Sequence, residues 1–379
     1  MESSRRIRVW AFVLVGVCCL GLGECIAQLA TTPPSLHLVP HPYLRWVRAP
    51  GLDLPLRSPL DGRSYLLRVD EEGFRSRHEG SLGPKGTEQR IFFVGGSTTE
   101  NRVLPDEDTF PYLVEEGLLA EGRSVEVFNG ALNGGVIADS FSLIAHRLLA
   151  LDPDVIVMMH AINDMRAALS SRFDPRHYAD RNPPRPARPS DLLQRYSALY
   201  RLVIEARRRL ETRTGLDGER YRARAQATPY TADPDPSRGL PYFRRYLEMI
   251  AALCGEAGVP LVLMTQPSLY QPEMSPAERE VLWMGWLDHG ALNLAPSALL
   301  EGMRAYNQVI RRVAHERGLT LIDLDAIVPK DLDHFYDDCH YTARGNRVVA
   351  RAVLAGLRAA GLPGARRSAS DDSARAAAR

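Results

Sequence analysis

Five short, mostly apolar runs recur along the chain from residue 90 onward, separated by longer segments with helical spacing. Continuous apolar strands that alternate with helices are typical of a parallel sheet covered by helices on both faces. We therefore predict an α/β fold in three layers, a helix–sheet–helix sandwich. The predicted strands are Ile91–Val94, Val125–Phe128, Val155–Met159, Leu261–Met264 and Leu319–Ile322.

The segments between these runs repeat apolar residues with the period of an amphipathic helix. A further strand, Tyr65–Val69, is predicted ahead of the sheet and is followed by a turn at Glu72 and Gly73. The spacing predicts helices near 110–121, 138–150, 191–212, 238–257, 298–317 and 343–360.

The first 30 residues have the order of charges found in secretory signals and membrane anchors. Arg5, Arg6 and Arg8 precede an uncharged run from Val9 to Gly23. We expect either a cleaved signal peptide or an uncleaved anchor, and both interpretations stay open. In either case the rest of the chain is expected outside the cytoplasm, in the periplasm or at the cell surface, with a membrane contact only if the segment is uncleaved.

The remaining organisation follows from changes in composition. Residues 31–87 are expected to form a linker and a small N-terminal segment, 88–363 the main domain, and 364–379 a disordered tail. Residues 171–240 and 267–296 interrupt the repeating pattern and are predicted as insertions over the strand ends. The second carries Trp283, Met284, Trp286 and Leu287, which fit either ordinary core or a lid over an acyl or sugar pocket.

Composition and charge narrow the possible functions. The chain has 379 residues, of which 45% are hydrophobic and 25% charged, as in ordinary globular proteins. Its formal net charge is +1, so no overall field favours nucleic acid as a partner. It has neither a Walker loop nor a G-x-G-x-x-G motif, so no nucleotide cofactor is expected. The oligomeric state stays open.

Only two of the five cysteines, Cys254 and Cys339, lie outside the N-terminal segment. An oxidising compartment would permit a disulfide between them, but two buried thiols are the other interpretation. No CxxC pair is present, which excludes a zinc-ribbon or thioredoxin-like site.

Polar residues suited to catalysis follow several predicted strands. Ser97 comes just after the first sheet strand and two glycines, at the edge where α/β sheets keep their sites. Gly134 and Asn163 follow the next two strands. Near the C-terminus, Asp337 precedes His340 by three positions, so its carboxylate can fold back within one turn to orient the imidazole.

A cluster of acidic residues and a histidine surrounds this last motif. Its members are Asp331, Asp333, His334, Asp337 and Asp338. Because no H-E-x-x-H or comparable ligand spacing accompanies them, no metal site is expected. Asp338 is a rival partner for His340, but its spacing of two residues is less favourable than that of Asp337.

The ordered set of motifs resembles the SGNH (GDSL-type) hydrolase superfamily across roughly residues 88–362. The resemblance implies a flavodoxin-like parallel sheet and no cofactor. It also implies that Ser97 is the nucleophile, that Asp337 and His340 complete a catalytic triad, and that Ser97, Gly134 and Asn163 supply the oxyanion hole.

Two motifs depart from the family pattern. Gly96 stands where the family's Gly-Asp-Ser has aspartate, and Ala161 stands where its Gly-x-Asn-Asp has glycine. The segment Val69–Arg75 is similar to one that precedes the nucleophile in some extracytoplasmic members.

These expectations lead to one main functional hypothesis and two alternatives. The main hypothesis is a serine esterase that cleaves carboxylic esters, including acylated glycans, through an acyl-enzyme. An O-acyltransferase acting on surface polysaccharide uses the same acyl-enzyme. A catalytically silent scaffold that binds glycan or protein is the third hypothesis, motivated by Gly96 and Ala161.

Overall fold

The computed structural model describes residues 2–30, 38–39, 41, 43–44, 47–78, 80–170, 173–174, 193, 197–200, 202–203, 230–287 and 292–363. The chain divides into two compact units. One contains Met1–His37 and Asn182–Arg222, and the other contains Leu38–Arg181 and Ala223–Arg379.

The first unit is built around a long N-terminal helix, α1 (Glu2–Ala30). Within it, Trp10–Leu29 has a mean hydropathy of 2.0 and is long and apolar enough to cross a membrane. Near its end, the Glu24 carboxylate accepts hydrogen bonds from Ser197 Oγ at 2.7 Å and Ala198 N at 2.6 Å. Most of the helix predicted near 191–212 lies outside the described residues.

The second unit contains a six-stranded sheet with the order β13-β10-β8-β6-β7-β5. All neighbours pair in parallel except β5, which is antiparallel to β7. The five parallel strands follow the flavodoxin-like order 2-1-3-4-5, so the predicted fold class is confirmed. The strands of this sheet are β5 (Arg75–Ser76), β6 (Gln89–Gly95), β7 (Val125–Asn129), β8 (Val155–Met159), β10 (Leu261–Met264) and β13 (Thr320–Ile322).

Smaller sheets accompany it. The predicted strand at Tyr65–Val69 is present as half of an antiparallel hairpin, and a three-stranded sheet has the order β11-β12-β9. The smaller strands are β1 (Leu38–Val39), β2 (Val47–Arg48), β3 (Asp53–Arg57), β4 (Ser64–Arg68), β9 (Tyr230–Thr231), β11 (Trp286–Leu287) and β12 (Leu292–Leu294).

Helices cover both faces of the sheet. On one side α3 packs against α10, and on the other α6 packs against α4 and α8. The strands between them are buried, and Phe92 stacks on Phe128 with ring centroids 4.9 Å apart. The α-helices of this unit, in the part of the chain that the structure describes, are α2 (Ser97–Glu100), α3 (Phe110–Ala120), α4 (Ile137–His146), α5 (Ile162–Leu169), α6 (Leu240–Ala257), α7 (Pro276–Glu280), α8 (Pro296–Arg317), α9 (Leu324–Ile327) and α10 (Ala343–Ala359).

Five of the predicted helices are confirmed as α3, α4, α6, α8 and α10, with ends displaced by a few residues. Helix α5 was not predicted. All of its residues except Arg166 are buried, so it has no polar face whose period could reveal a helix.

The predicted insertion 267–296 contains α7, β11 and β12. Its Met284 and Leu287 side chains are buried and belong to the core, whereas Trp283 and Trp286 are half-buried. Most of 171–240 and the whole tail 364–379 lie outside the described residues. Cys254 and Cys339 are buried free thiols and form no disulfide with each other.

Candidate active site

The turn that carries Ser97 begins where the buried strand β6 ends. We call Gly95–Glu100 the nucleophile turn. Ser97 is the first residue of α2, where a backbone N–H has no partner within the helix, and its side chain is half-buried. β6 lies between β7 and β8, the point at which the strand order reverses and where such sheets bind ligands.

Glycine at position 96 has a steric reason. A Cβ added to Gly96 would lie 2.4 Å from Nδ2 of Asn163 and 3.2 Å from the Gly135 carbonyl oxygen. Any side chain at this position would displace the Asn163 amide. Glycine therefore lets Asn163 pack directly against the nucleophile turn.

His340 connects Ser97 to Asp337 through a chain of hydrogen bonds. Its Nε2 lies 2.7 Å from Ser97 Oγ, and its Nδ1 lies 2.8 and 2.9 Å from the two Asp337 carboxylate oxygens. The Tyr336 ring stacks on the imidazole at a centroid distance of 5.5 Å. We call Asp337–His340 the histidine loop. A hydroxyl, an imidazole and a carboxylate in this order can activate the hydroxyl as a nucleophile.

Asp337 is fully buried but surrounded by donors. Burial would raise the pKa of its carboxyl group, but the His340 imidazole and the backbone N–H groups of Cys339 and His340 hold that pKa well below its usual value. Trp283 contributes an additional donor, since its indole Nε1 is 3.0 Å from Asp337 Oδ2. The carboxylate is therefore held ionised and oriented toward His340 Nδ1.

Asp338 is equally buried and makes different contacts. Its carboxylate accepts hydrogen bonds from Tyr270 Oη at 2.7 Å, Trp283 N at 2.7 Å and Met284 N at 3.1 Å. Burial and the negative charge of Asp337 raise the pKa of Asp338. Its carboxylate thus binds the 283–284 segment, whereas the contacts to His340 come from Asp337.

The other two predicted site residues, Asn163 and Gly134, lie in a helix and in a loop, respectively. Asn163 is in the first turn of α5, and its Nδ2 donates to Gly135 O at 3.0 Å. An amide group has two N–H hydrogens, so this bond leaves a second one. Gly134 is half-exposed after β7, has a φ of +71° and directly precedes the Gly135 carbonyl that binds Asn163.

Gln266 was not predicted and ties two parts of the site together. Its Nε2 donates to Thr98 Oγ1 at 3.1 Å, and its Oε1 accepts from Ile162 N at 2.9 Å. It thereby fixes the nucleophile turn against the start of α5. Gln266 follows β10 by two residues. The expectation that polar residues just after sheet strands belong to the site, which we call the strand-end rule, would therefore have identified it as it identified Ser97.

Two buried arginines, which were also not predicted as site residues, bind Glu100 at the C-terminal end of the nucleophile turn. Arg75 donates to the carbonyl oxygens of Glu100 at 2.8 Å, Asn101 at 3.0 Å and Leu104 at 2.7 Å. Arg48 forms a buried ion pair of 3.1 Å with Glu100. Arg75 lies in the Val69–Arg75 segment that the sequence likeness singled out.

Members of the acidic cluster bind separate partners. His334 Nδ1 lies 2.6 Å from Asp331, and Asp333 pairs with Arg344 at 2.8 Å. A different trio, Asp337, Cys339 and His340, offers one ligand atom each within 4.8 Å. A metal ion there would take the carboxylate and the Nδ1 that bind each other, so it would compete with the Ser97–His340–Asp337 arrangement.

Comparisons with known proteins found no matching family model and no matching curated protein. Among solved structures, LAE5, an alpha/beta hydrolase from the metagenome of Lake Arreo, Spain, is 16% identical with a TM-score of 0.42, covering 72% of this chain and 97% of that one. Axe2, an acetylxylan esterase from Geobacillus stearothermophilus, is 15% identical with a TM-score of 0.42, covering 72% and 95%. The acetyl xylan esterase AlAXEase is 18% identical with a TM-score of 0.40, covering 71% and 99%. These values assign no role to any residue here.

Proposed function

We propose that this chain is a serine hydrolase that cleaves carboxylic esters through an acyl-enzyme, as an SGNH-type enzyme. The observation that carries the proposal is the 2.7 Å contact between Ser97 Oγ and His340 Nε2, with Asp337 bound to the opposite ring nitrogen. A serine hydroxyl is a weak nucleophile until a base takes its proton, and this arrangement supplies that base.

In the proposed reaction, Ser97 Oγ attacks the acyl carbon while its proton moves to His340 Nε2. The tetrahedral intermediate then collapses, the ester C–O bond breaks, and the alcohol leaves with the proton from His340. Water attacks the acyl-enzyme in the same way, returning Ser97 and releasing the acid. Asp337 stays ionised and stabilises the imidazolium in both halves.

The negative charge of each tetrahedral intermediate develops on the acyl oxygen. In the proposal, the backbone N–H groups of Ser97 and Gly134 and the remaining N–H of the Asn163 amide donate to it. One donor of this kind is typically worth about 3 to 4 kcal/mol of transition-state stabilisation.

Hydrolysis of simple esters tests the function. The purified full-length chain is expected to hydrolyse 4-nitrophenyl acetate, and Ser97→Ala is expected to abolish turnover while leaving the circular dichroism spectrum unchanged. A folded wild-type chain with no activity on 4-nitrophenyl esters of any chain length would overturn the proposal. So would a Ser97→Ala variant of full activity.

We also infer that the second unit works outside the cytoplasm. The support is the apolar span Trp10–Leu29 together with Arg5, Arg6 and Arg8 before it, because positive charge flanking a span stays on the cytoplasmic side. A C-terminal alkaline phosphatase fusion is expected to be active. An inactive fusion, with a working cytoplasmic reporter at the same position, would contradict this orientation.

A further inference from the structure

A cavity of about 460 Å³ lies next to the carboxylate end of the Ser97–His340–Asp337 arrangement. Trp283 forms part of its wall, and the indole N–H of the same residue donates to Asp337. Binding sites for small molecules usually have volumes of about 300 to 1,000 Å³, so this cavity is large enough for a ligand.

The lining combines flat aromatic rings with a few polar groups. Tyr230, Trp283 and Trp286 supply the rings. Arg279 and Glu280 contribute one positive and one negative charge, so the lining carries no net charge. Asn293 adds an amide that can both donate and accept.

This chemistry discriminates between ligand classes. An acyl chain would desolvate the charged groups of Arg279 and Glu280 in the lining. A phosphate would require an excess of positive charge, which the lining lacks. A neutral polyhydroxylated ring offers apolar faces to the indoles and hydroxyl groups to the planar polar side chains, so it suits both parts of the lining.

The position of the cavity also argues against a site for the acyl group. Neither Ser97 nor His340 lines it, and Trp283 is the lining residue that also binds Asp337. Trp283 is itself fixed, because its backbone N–H binds Asp338 and the Arg166 guanidinium lies 4.8 Å from its ring centroid. The cavity therefore has a preorganised wall beside the site rather than at its nucleophile.

We propose that this cavity binds a neutral sugar unit of an acylated glycan, adjacent to the unit whose ester Ser97 attacks. The inference rests on the proposed ester hydrolysis and names the substrate class of the same site. It assigns Tyr230 and Trp286 a role in recognising the glycan substrate and no role in breaking the ester bond.

Two substrates separate binding in the cavity from the chemistry at Ser97. Tyr230→Ala and Trp286→Ala are each expected to raise KM for acetylated xylo-oligosaccharides about 3- to 10-fold more than KM for 4-nitrophenyl acetate, the usual size of one aromatic contact. The Tyr230 side chain is 57% exposed, so its variant is expected to fold. Tyr43→Ala, which removes another exposed aromatic ring, serves as the matched control and is expected to behave as wild type.

Binding without turnover provides an independent readout. Unacetylated xylotriose is expected to change the tryptophan fluorescence of the Ser97→Ala variant, because two of the four tryptophans line the cavity. The change is expected to weaken when Tyr230→Ala is added. Ester hydrolysis with no xylotriose signal and equal KM effects on both substrates would overturn the sugar site alone. A saturable signal lost in Tyr230→Ala, in a chain inactive on all esters, would support the sugar site and overturn the proposed function.

Discussion

The nucleophile turn and the histidine loop are held in place by opposite charges. Around the nucleophile turn, the buried cation Arg75 donates to three backbone carbonyls. Around the histidine loop, the buried anions Asp337 and Asp338 accept from backbone N–H groups. Each charge satisfies several backbone groups at once, so each half of the site has its own anchor. The difference shows that Asp338, although adjacent in sequence to the partner of His340, can anchor the loop without binding the imidazole.

The largest effects are expected where the two halves meet, at the Ser97–His340 hydrogen bond. Ser97→Ala and His340→Ala are each expected to lower kcat by about 10⁴-fold or more, and combining them with Asp337→Ala is expected to add little, because residues that act as one unit are not additive. Steady-state kinetics on 4-nitrophenyl acetate measures this. Losses that multiply in the double variants would mean that the three side chains act independently.

Replacing the two adjacent aspartates one at a time distinguishes the carboxylate that binds His340 from the one that anchors the 283–284 backbone. Asp337→Ala is expected to lower kcat by about 10⁴-fold, since the imidazole loses the group that sets its tautomer and orientation. Asp338→Ala is expected to change kcat less than about 10-fold but to lower the melting temperature, because Tyr270 and the 283–284 backbone lose their acceptor. An active Asp337→Ala together with a severe kcat defect in Asp338→Ala would assign the wrong aspartate to the histidine.

The anchor of the nucleophile turn is tested by removing its charge. Arg75→Met is expected to lower the free energy of unfolding by about 3 kcal/mol, because three buried carbonyls and Asp106 lose a donor. Arg77→Met is a matched control on the neighbouring, partly exposed arginine, and its cost is expected below about 1 kcal/mol. Urea unfolding compares them. Equal costs would show that Arg75 does not anchor the turn.

A smaller change is expected when Asp337 loses one donor. Trp283→Phe removes the indole N–H bond and leaves the Asp337 carboxylate with fewer donors. We expect kcat on 4-nitrophenyl acetate to fall about 10-fold, because the carboxylate is held less firmly toward His340 Nδ1. Trp286→Phe, the same change on the neighbouring half-buried tryptophan, is expected to leave kcat on this substrate at the wild-type value. An unchanged kcat in Trp283→Phe would show that this bond does not help to orient Asp337.

Glu115 contrasts with Asp337, because it is a buried carboxyl group with few donors. Burial raises the pKa of Glu115 to about 7, although Val127 N donates to its Oε1 at 3.0 Å. Because the unfolded carboxyl group ionises near its ordinary pKa, the folded chain loses stability as pH rises from there through about 7. Glu115→Gln is expected to raise stability at pH 8 by about 2 kcal/mol and to give no gain near pH 4. Thermal melts at both pH values measure this gain in stability. A gain that does not depend on pH would contradict the raised pKa of Glu115.

Hydrophobic pattern predicted the sheet well, because the five parallel strands are mostly apolar and the central ones, β6, β8 and β10, are almost entirely buried. The strand-end rule also placed Ser97 and Asn163 near each other, since β6 and β8 are neighbours. Helix α5, which contains Asn163, was not predicted, because its buried polar residues conceal the helical period.

Contacts between distant segments could not be predicted in the same way. The partners of Asp338 lie 54 to 68 residues earlier in the chain, so their meeting depends on the fold and on no local spacing. Trp283 illustrates this, because its sequence allowed core or pocket lid. The structure gives it three roles at once, as a cavity wall, a donor to Asp337 and a backbone donor to Asp338. Glycine at position 96 likewise makes sense only beside the Asn163 amide.

The central claim is that Ser97 is a nucleophile activated by His340, and mapping a covalent adduct tests it most directly. The full-length chain is treated with a fluorophosphonate probe, digested, and examined by peptide mass spectrometry. We expect a single modified site at Ser97, no adduct in Ser97→Ala, and much slower labelling in His340→Ala. A folded wild-type chain that is not labelled, or an adduct that persists on another residue in Ser97→Ala, would contradict the claim.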